Sequence, residues 1–556
     1  MRPSTDDERA AFLGTGPSTP GSSPLLRRYT DNNVIFESNL GADDDGDVAK
    51  PEHLPQHHHR RRRWCGIRHI VSSICSPNRR SKRRCFGLFL KLTLAFILSL
   101  LAFTPILAPS YLHPPAHYNQ LAQQCDAREK SMGDGGPHKV NGCANPFHEN
   151  VFISVSLYDK DGSLADGQWG QALIDLIHLV GPDNVFVSIY ENDSGQAGAT
   201  ALERLRRRLP SRSSVVYEEH VPMDLFPNIT MPDGSVRTKR LAYLSEMRNR
   251  ALRPLDTYGG VDMMKFDRVL FLNDVAFRPL DAAQLLFSTN LDSQGRAQYL
   301  SVCALDWKHP YLFYDVYAQR DAEGFSNGIP LFPIFSSAGK GVSRSDMLAR
   351  KDAVRVQSCW GGMVAMKADY IQNLNATLPR PDFQNIGSHV IDPAKPTGIV
   401  SPVRFRYEPE LFFDACECCL FQADVTQAAR VAGAPKEELG VYVNPYIRVA
   451  YDWKSLGRIR LVQRWERLFS IPQAIVTYFT HLPTPNPHRL VKEGDQFVEE
   501  VWSTQANAWR LEARTGRSGM FCGVREMQLI QDGPRKGDKN WANVAIPSGQ
   551  ALNFPT

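Results

Sequence analysis

The sequence of 556 residues has no G-x-x-x-x-G-K-S/T loop, no G-x-G-x-x-G after a strand, no H-E-x-x-H and no G-x-S-x-G. Phosphate-loop, dinucleotide-binding, zinc-protease and α/β-hydrolase chemistries therefore lose their motif support. There is no convincing internal repeat, and no second long apolar run follows the first. A single such run cannot form a pore, which argues against transport in the strict sense. The net charge is only +5 and much of it sits in one N-terminal block, so nucleic-acid binding is not inferred. Hydrophobic residues, at 42%, are abundant enough to build a core over most of the chain.

The basic block sets the expected topology. His57 to Arg63 reads HHHRRRR, and Arg79, Arg80, Lys82, Arg83 and Arg84 follow. Phe86 to Ala108 is then apolar, with Lys91 near its start. About 20 residues at ~1.5 Å each cross the ~30 Å hydrocarbon core of a bilayer. Pro109 to Asp126 carries no Lys or Arg. Positive charge on one flank only predicts a cytosolic N-terminus and a lumenal C-terminal domain. The expected organisation is a disordered cytosolic tail (1–85), an anchor (86–108), a stem (109–146), a large lumenal domain (147–480) and a C-terminal extension packed on it (481–556).

Two features agree with an oxidising lumen. Sequons occur at Asn192, Asn228 and Asn375. Eight cysteines follow the anchor: Cys125, Cys143, Cys303, Cys359, Cys416, Cys418, Cys419 and Cys522. An even count suggests disulfides whose pairing the spacing does not reveal. The cluster Cys416, Cys418 and Cys419 lacks the paired C-x-x-C spacing of structural zinc sites and is expected to hold disulfides or buried thiols.

Short apolar, β-branched runs alternate with helical patterns from Val151 onwards. Strands are predicted at 151–158, 185–190, 214–217, 268–272 and 299–305, with helices at 168–180, 199–209 and 237–255. This alternation predicts an α/β fold with a mostly parallel central sheet. Ligands of such sheets bind outside the carboxyl ends of the strands.

Asp159 and Glu191 follow the first two strands and are either ligand contacts or turn formers. Asn273 and Asp274 follow the strand RVLFL, and the chain turns apolar again at once. A carboxylate so flanked needs a partner such as a metal ion, an Arg or backbone N–H groups. A diphosphate leaving group needs its charge neutralised, and one or two carboxylates can hold the divalent cation that does so. Asn273-Asp274-Val275 would be a degenerate form of the Asp-x-Asp motif used for this. Arg248 and Arg250 on the preceding helix either steady phosphates or form a solvated face. Asp306 ends a strand. Trp360, Gly361 and Gly362 form either a sugar-binding wall with close backbone approach or a tight turn packed by a core Trp. Glu417 and Asp424 are either catalytic or metal-linked carboxylates, or paired structural acids.

Four segments in order, Phe266 to Val275, Ser358 to Met363, Glu417 to Leu420 and Val443 to Tyr451, resemble the fungal capsule-associated α-1,3-mannosyltransferase family, glycosyltransferase family 69. The resemblance covers roughly residues 146 to 480. It implies a GT-A-like domain in a type II Golgi membrane protein, transferring mannose from GDP-mannose in α-1,3 linkage to a mannose-containing acceptor, with Mn²⁺. If donor and product are both α, configuration is retained. On this reading Glu417 and Asp306 are the catalytic candidates and Asp274 and Asp424 the metal ligands. Asp159, Glu191, Arg248, Asn273, Trp360, Gly361 and Gly362 are the substrate contacts. The alternative is a non-catalytic lumenal scaffold or glycan-binding protein in capsule or cell-wall polysaccharide assembly.

Overall fold

A computed structural model describes residues 79–131, 141–256, 264–374, 402–531 and 540–551. The predicted tail lies outside them up to residue 78, and so does Asn375. The chain divides into two units at Leu107–Ala108. The first contains helix α1 (Arg79–Leu107), whose stretch Phe86–Leu107 is long and apolar enough to cross a membrane.

The second unit begins with an unexpected feature. Where the sequence predicted a stem, the described residues 109–131 and 141–146 include side chains packed into the domain. Tyr111, Tyr118 and Leu121 are buried, the last two on helix α2 (Ala116–Ser131), and Cys125 is bonded to Cys143. The Asn444 amide donates to the Tyr118 hydroxyl at 2.6 Å. The aromatic side chains of this segment bury apolar area that a free stem would leave in water, at about 1.5–3 kcal/mol each.

The central sheet contains β1 (Val151–Leu157), β2 (Val185–Asn192), β3 (Arg212–Glu218), β4 (Arg268–Leu272), β5 (Ser301–His309), β6 (Arg320–Asp321), β7 (Val354–Ser358), β8 (Met363–Lys367) and β9 (Val441–Ala450). Their order is β3-β2-β1-β4-β8-β5-β9-β7-β6. β3, β2, β1 and β4 are parallel neighbours. β8 is antiparallel to both β4 and β5, and β9 runs parallel to β5. The result is a mixed α/β domain whose sheet is mostly parallel, as expected.

Alternation along each strand divides the core between the two faces of the sheet. Phe152, Phe186 and Phe271 point into one apolar layer; Val151, Ile153, Val185, Val187, Leu270 and Leu272 point into the other. Helix α3 (Gln168–Val180) covers the second layer with Leu173, Leu176 and Ile177. It ends where predicted, at Gly181 with φ +105°, followed by Pro182. Helix α4 (Gly195–Arg208) adds Leu202 and Leu205 to that layer. Helix α5 (Arg240–Leu252) starts three residues later than predicted and passes into a 3-10 turn at Arg253–Leu255. Helix α6 (Pro279–Phe287) also packs on the second layer, and helix α7 (Glu417–Val431) places Leu420 and Phe421 in the first.

The cysteines divide as the lumenal reading expects. Cys303 pairs with Cys359 and Cys419 with Cys522, while Cys416 and Cys418 are free and buried. The C-terminal segment is bound to α7 through Cys419–Cys522 and carries a hairpin of Gln496–Ser503 and Ala508–Thr515.

Candidate functional site

Asn273 and Asp274 leave the carboxyl end of β4, both half-buried. The turn is held on three sides. The Asn273 backbone N–H donates to Gly362 O at 2.9 Å, and its carbonyl accepts the Trp169 indole N–H at 3.1 Å. Its side-chain oxygen accepts from the Trp360 indole at 3.3 Å and from Arg248 at 3.4 Å. Asn273 is therefore the hub that positions the turn, with its amide oxygen already engaged by protein.

Arg248 comes from α5. Its guanidinium lies over Trp360, 4.8 Å from the ring centroid, and 5.7 Å from that of Phe405. Its Nε donates to Glu417 Oε1 at 3.2 Å. Glu417 opens α7, its side chain only 4% exposed, with the Cys416 and Cys418 thiols within 3.7 and 3.5 Å of its oxygens. Such a carboxylate is a poor candidate for proton transfer to substrate. It acts through Arg248, keeping a cation in place where the strand ends, so the catalytic assignment of Glu417 gives way to a positioning one. The Sγ and carboxylate atoms of Cys416, Glu417 and Cys418 lie close enough together to hold a metal ion, and Arg248 already takes one oxygen, Oε1, of the Glu417 carboxylate.

A second group gathers beside Asp274. Mutual hydrogen bonds between Ala276 and Ala450, 2.7 and 3.1 Å long, bring the segment after Asp274 to the end of β9, where Tyr451 follows. The Tyr451 hydroxyl donates to Asp306 Oδ2 at 3.1 Å, and the Asp315 N–H donates to Asp306 Oδ1 at 3.1 Å. Asp315 in turn accepts backbone N–H groups from Ala318 at 3.0 Å and Gly361 at 3.1 Å. Burial, with the Asp315 charge added, pushes the Asp306 carboxyl up to about 8. Burial and then the charge of Asp306, with Asp274 and Asp315 contributing, push the Tyr451 phenol well above its ordinary value, so it keeps its proton and donates. Asp306 thus accepts from Tyr451 directly, and Asp274 and Asp315 add their charges to the phenol's surroundings. Asp315 and Tyr451 were not singled out in the sequence; Asp315 follows Phe313-Tyr314 in a short loop with no strand pattern to mark it.

Other expected site residues have structural duties. Asp159 is fully buried and its Oδ2 accepts the N–H groups of Leu164 and Ala165 at 2.9 and 2.8 Å. Glu191 accepts from the Asp159 N–H at 3.2 Å and from Ser194, and burial raises its carboxyl to about 7. Together they bind the turn after β1 to the end of β2, which is the turn-forming role. Asp424 is taken up by Arg406, at 2.7 and 3.1 Å, and by Ser518, so its oxygens are spent on a buried ion pair and not on a metal. Arg250 pairs with Glu246 at 2.8 Å and with Glu218. Trp360 is buried against Phe271 and Phe405 and forms no exposed wall. Gly361 and Gly362 have φ of +57° and +68°, and a Cβ on Gly361 would meet Ala304 O at 2.0 Å. Both glycines are needed by the turn and by close packing on β5. Asn192 is 1% exposed, its amide donating to the Tyr243 hydroxyl at 2.8 Å, and it cannot carry a glycan in this fold. Asn228 is exposed.

A carboxylate oxygen such as that of Asp274 suits a hard divalent cation, though its oxygens form no three-carboxylate ligand set with those of Asp306 and Asp315 among the described residues. No curated protein matches the chain. Among solved structures, it is similar to a mannosyltransferase from Pyrobaculum calidifontis in complex with GDP-mannose and Mn²⁺ (13% identity, 66% of this chain and 79% of that one, TM-score 0.28). It is also similar to TarS of S. aureus (10% identity, 62% and 75%, TM-score 0.26). Likenesses of that size carry no argument about donor or metal. Residues 150–424 match the family model described as cryptococcal mannosyltransferase 1, and this region belongs to that family of glycosyltransferases.

Proposed function

We propose that the protein is a type II Golgi-membrane mannosyltransferase. It transfers mannose from GDP-mannose to a mannose-containing glycan in α-1,3 linkage, with retention and with Mn²⁺ or a similar cation. The observation that carries this reading is the clamped Arg248, bonded to Asn273 and so set at the carboxyl end of β4 where Asp274 follows. Asp274 would hold the cation, which neutralises charge on the departing diphosphate when bound. Arg248, fixed by Glu417 and Trp360, supplies a second positive charge without reorganising at the moment of reaction. Asp306 holds a proton near neutrality and Tyr451 donates to it, so the acidic group carries less charge than its count of carboxyls suggests. In a retaining transfer the leaving phosphate itself can take the acceptor proton on the same face, with the protein supplying position and charge.

Asp274→Asn keeps the shape and removes the charge. Counter-charge at a diphosphate is worth several kcal/mol, so turnover should fall by roughly 100-fold or more. The melting temperature should change little, because the side chain is half-buried at a strand end. The assay is mannose transfer from GDP-mannose to an α-mannoside, with and without Mn²⁺. A folded Asp274→Asn protein with near-normal, metal-independent transfer would overturn the assignment.

A further inference from the structure

Helix α8 (Trp453–Val462) and helix α9 (Ser470–Phe479) follow the last sheet strand and take no part in the site described above. α9 is amphipathic in the wrong sense for a soluble domain. Its buried side is polar: Gln473 accepts from Arg344 at 2.7 Å, and Thr477 Oγ1 accepts the Ile329 N–H at 3.1 Å. Gly328 leaves room for both, since a Cβ there would meet Gln473 Nε2 at 2.8 Å and Thr477 Oγ1 at 2.9 Å. Its outward side carries Ile471, Ile475, Tyr478 and Phe479, at helical spacing i, i+4, i+7 and i+8, the last two 76% and 73% exposed. Leu461 of α8 is also exposed, at 53%. An apolar helix face turned to solvent marks an interaction surface.

The charge around it selects the partner. Between Trp453 and Thr480 there is a single acid, Glu466, and it is buried in a two-point pair with Arg448 at 2.7 and 3.0 Å. Lys454, Arg458, Arg460 and Arg464 are exposed. Aliphatic and aromatic side chains flanked by cations fit the headgroup–acyl boundary of a phospholipid bilayer.

The chain enters the domain close to the joint between these two helices. Tyr111 is four residues beyond Leu107, the end of the apolar stretch. It is buried, its hydroxyl donates to Met347 O at 2.9 Å, and its ring lies 6.0 Å from the Arg448 guanidinium. Arg448 is the partner of Glu466, at the joint between α8 and α9. Four residues reach at most ~14 Å, whatever angle the chain takes after Leu107.

We infer that α8 and α9 lie in the surface of the bilayer that α1 crosses, seating the domain on the membrane at a second, non-spanning contact. The inference rests on reading α1 as the anchor. The test uses the full chain in phosphatidylcholine–phosphatidylserine vesicles containing lipids brominated near the headgroup end of the chains. Two variants are compared with the parent: Tyr478→Trp on α9, and Leu511→Trp, which is 71% exposed on the C-terminal hairpin. The emission added by Tyr478→Trp should be quenched by about half or more, as for a side chain ~5–10 Å into the boundary, and that added by Leu511→Trp should not. Unquenched Tyr478→Trp emission from chains that stay with the vesicles through alkaline carbonate extraction would overturn the inference and leave the anchor intact. Cross-linking of copies through Tyr478→Cys with no lipid quenching would make the face a self-interface and overturn it too. Release of the parent chain by carbonate would instead remove the anchor, and the inference with it.

Discussion

At the scale of single residues, the acidic group beside Asp274 is where environment rather than composition sets chemistry. Asp306 is fully buried and its carboxyl titrates far above the ordinary carboxylate range. An acid with a raised pKa keeps its proton in the folded chain where the unfolded chain has released it. Folding then takes up a proton, and stability falls as pH rises from about 4 towards 8. Asp306→Asn has no proton to lose. The fall in melting temperature between about pH 5 and 8 should therefore be shallower in this variant than in the parent. It should not vanish, because Glu191, raised to about 7, contributes with the same sign. Equal slopes in the two proteins would show that Asp306 is not protonated near neutrality. The same scale explains why Glu417 and Asp424 read so alike in sequence. Each is an acid in a Cys-rich apolar run, and only the partner, Arg248 for one and Arg406 for the other, separates them.

At the scale of elements, the site depends on loops that join strands out of chain order. β8 lies between β4 and β5, so the turn Cys359–Gly362 that enters it runs beside both Asn273 and Asp315. The Cys303–Cys359 disulfide bonds this turn to β5. Closing a loop of that length by a native disulfide commonly contributes about 2–5 kcal/mol. The double variant Cys303→Ser with Cys359→Ser should lower the unfolding free energy by that order, read from the shift of a urea or thermal transition. The loss of activity should exceed the loss of folded protein, because the freed turn carries the Gly361 N–H that Asp315 accepts. Activity falling only in step with folded protein would mean that the disulfide serves stability alone.

At the scale of the whole molecule, topology and modification test one another. Asn228 is exposed, whereas Asn192 is buried and bonded to Tyr243. In a secretory host, Asn228→Gln should increase gel mobility by one glycan. Asn192→Gln should leave the glycan pattern unchanged and lower thermal stability through its buried contact, by about 1 kcal/mol. A glycan mapped to Asn192 would contradict the fold, and unglycosylated Asn228 beside a protease-accessible domain in sealed microsomes would contradict the lumenal reading.

The sequence alone determined what local pattern can carry. A mainly apolar run of 22 residues beside a basic block, strands such as β1 and β4, and the helix ended by Gly181-Pro182 are each specified within a dozen or two neighbouring positions. The strand-end rule also led to Asp274, since it needs only the order of apolar run and acid. Tertiary structure decided everything that depends on distant segments meeting. Spacing could not show that Cys419 pairs with Cys522, that Tyr118 meets Asn444, or that Asp424 is spent on Arg406. Nor could it show that Asp306, Asp315 and Tyr451 converge beside Asp274, or that α9 turns its polar side inward. The physical reason is common to all of these. Whether an ionisable, polar or apolar side chain is spent or available depends on its burial and its partner, and both are fixed by packing between elements far apart in the chain.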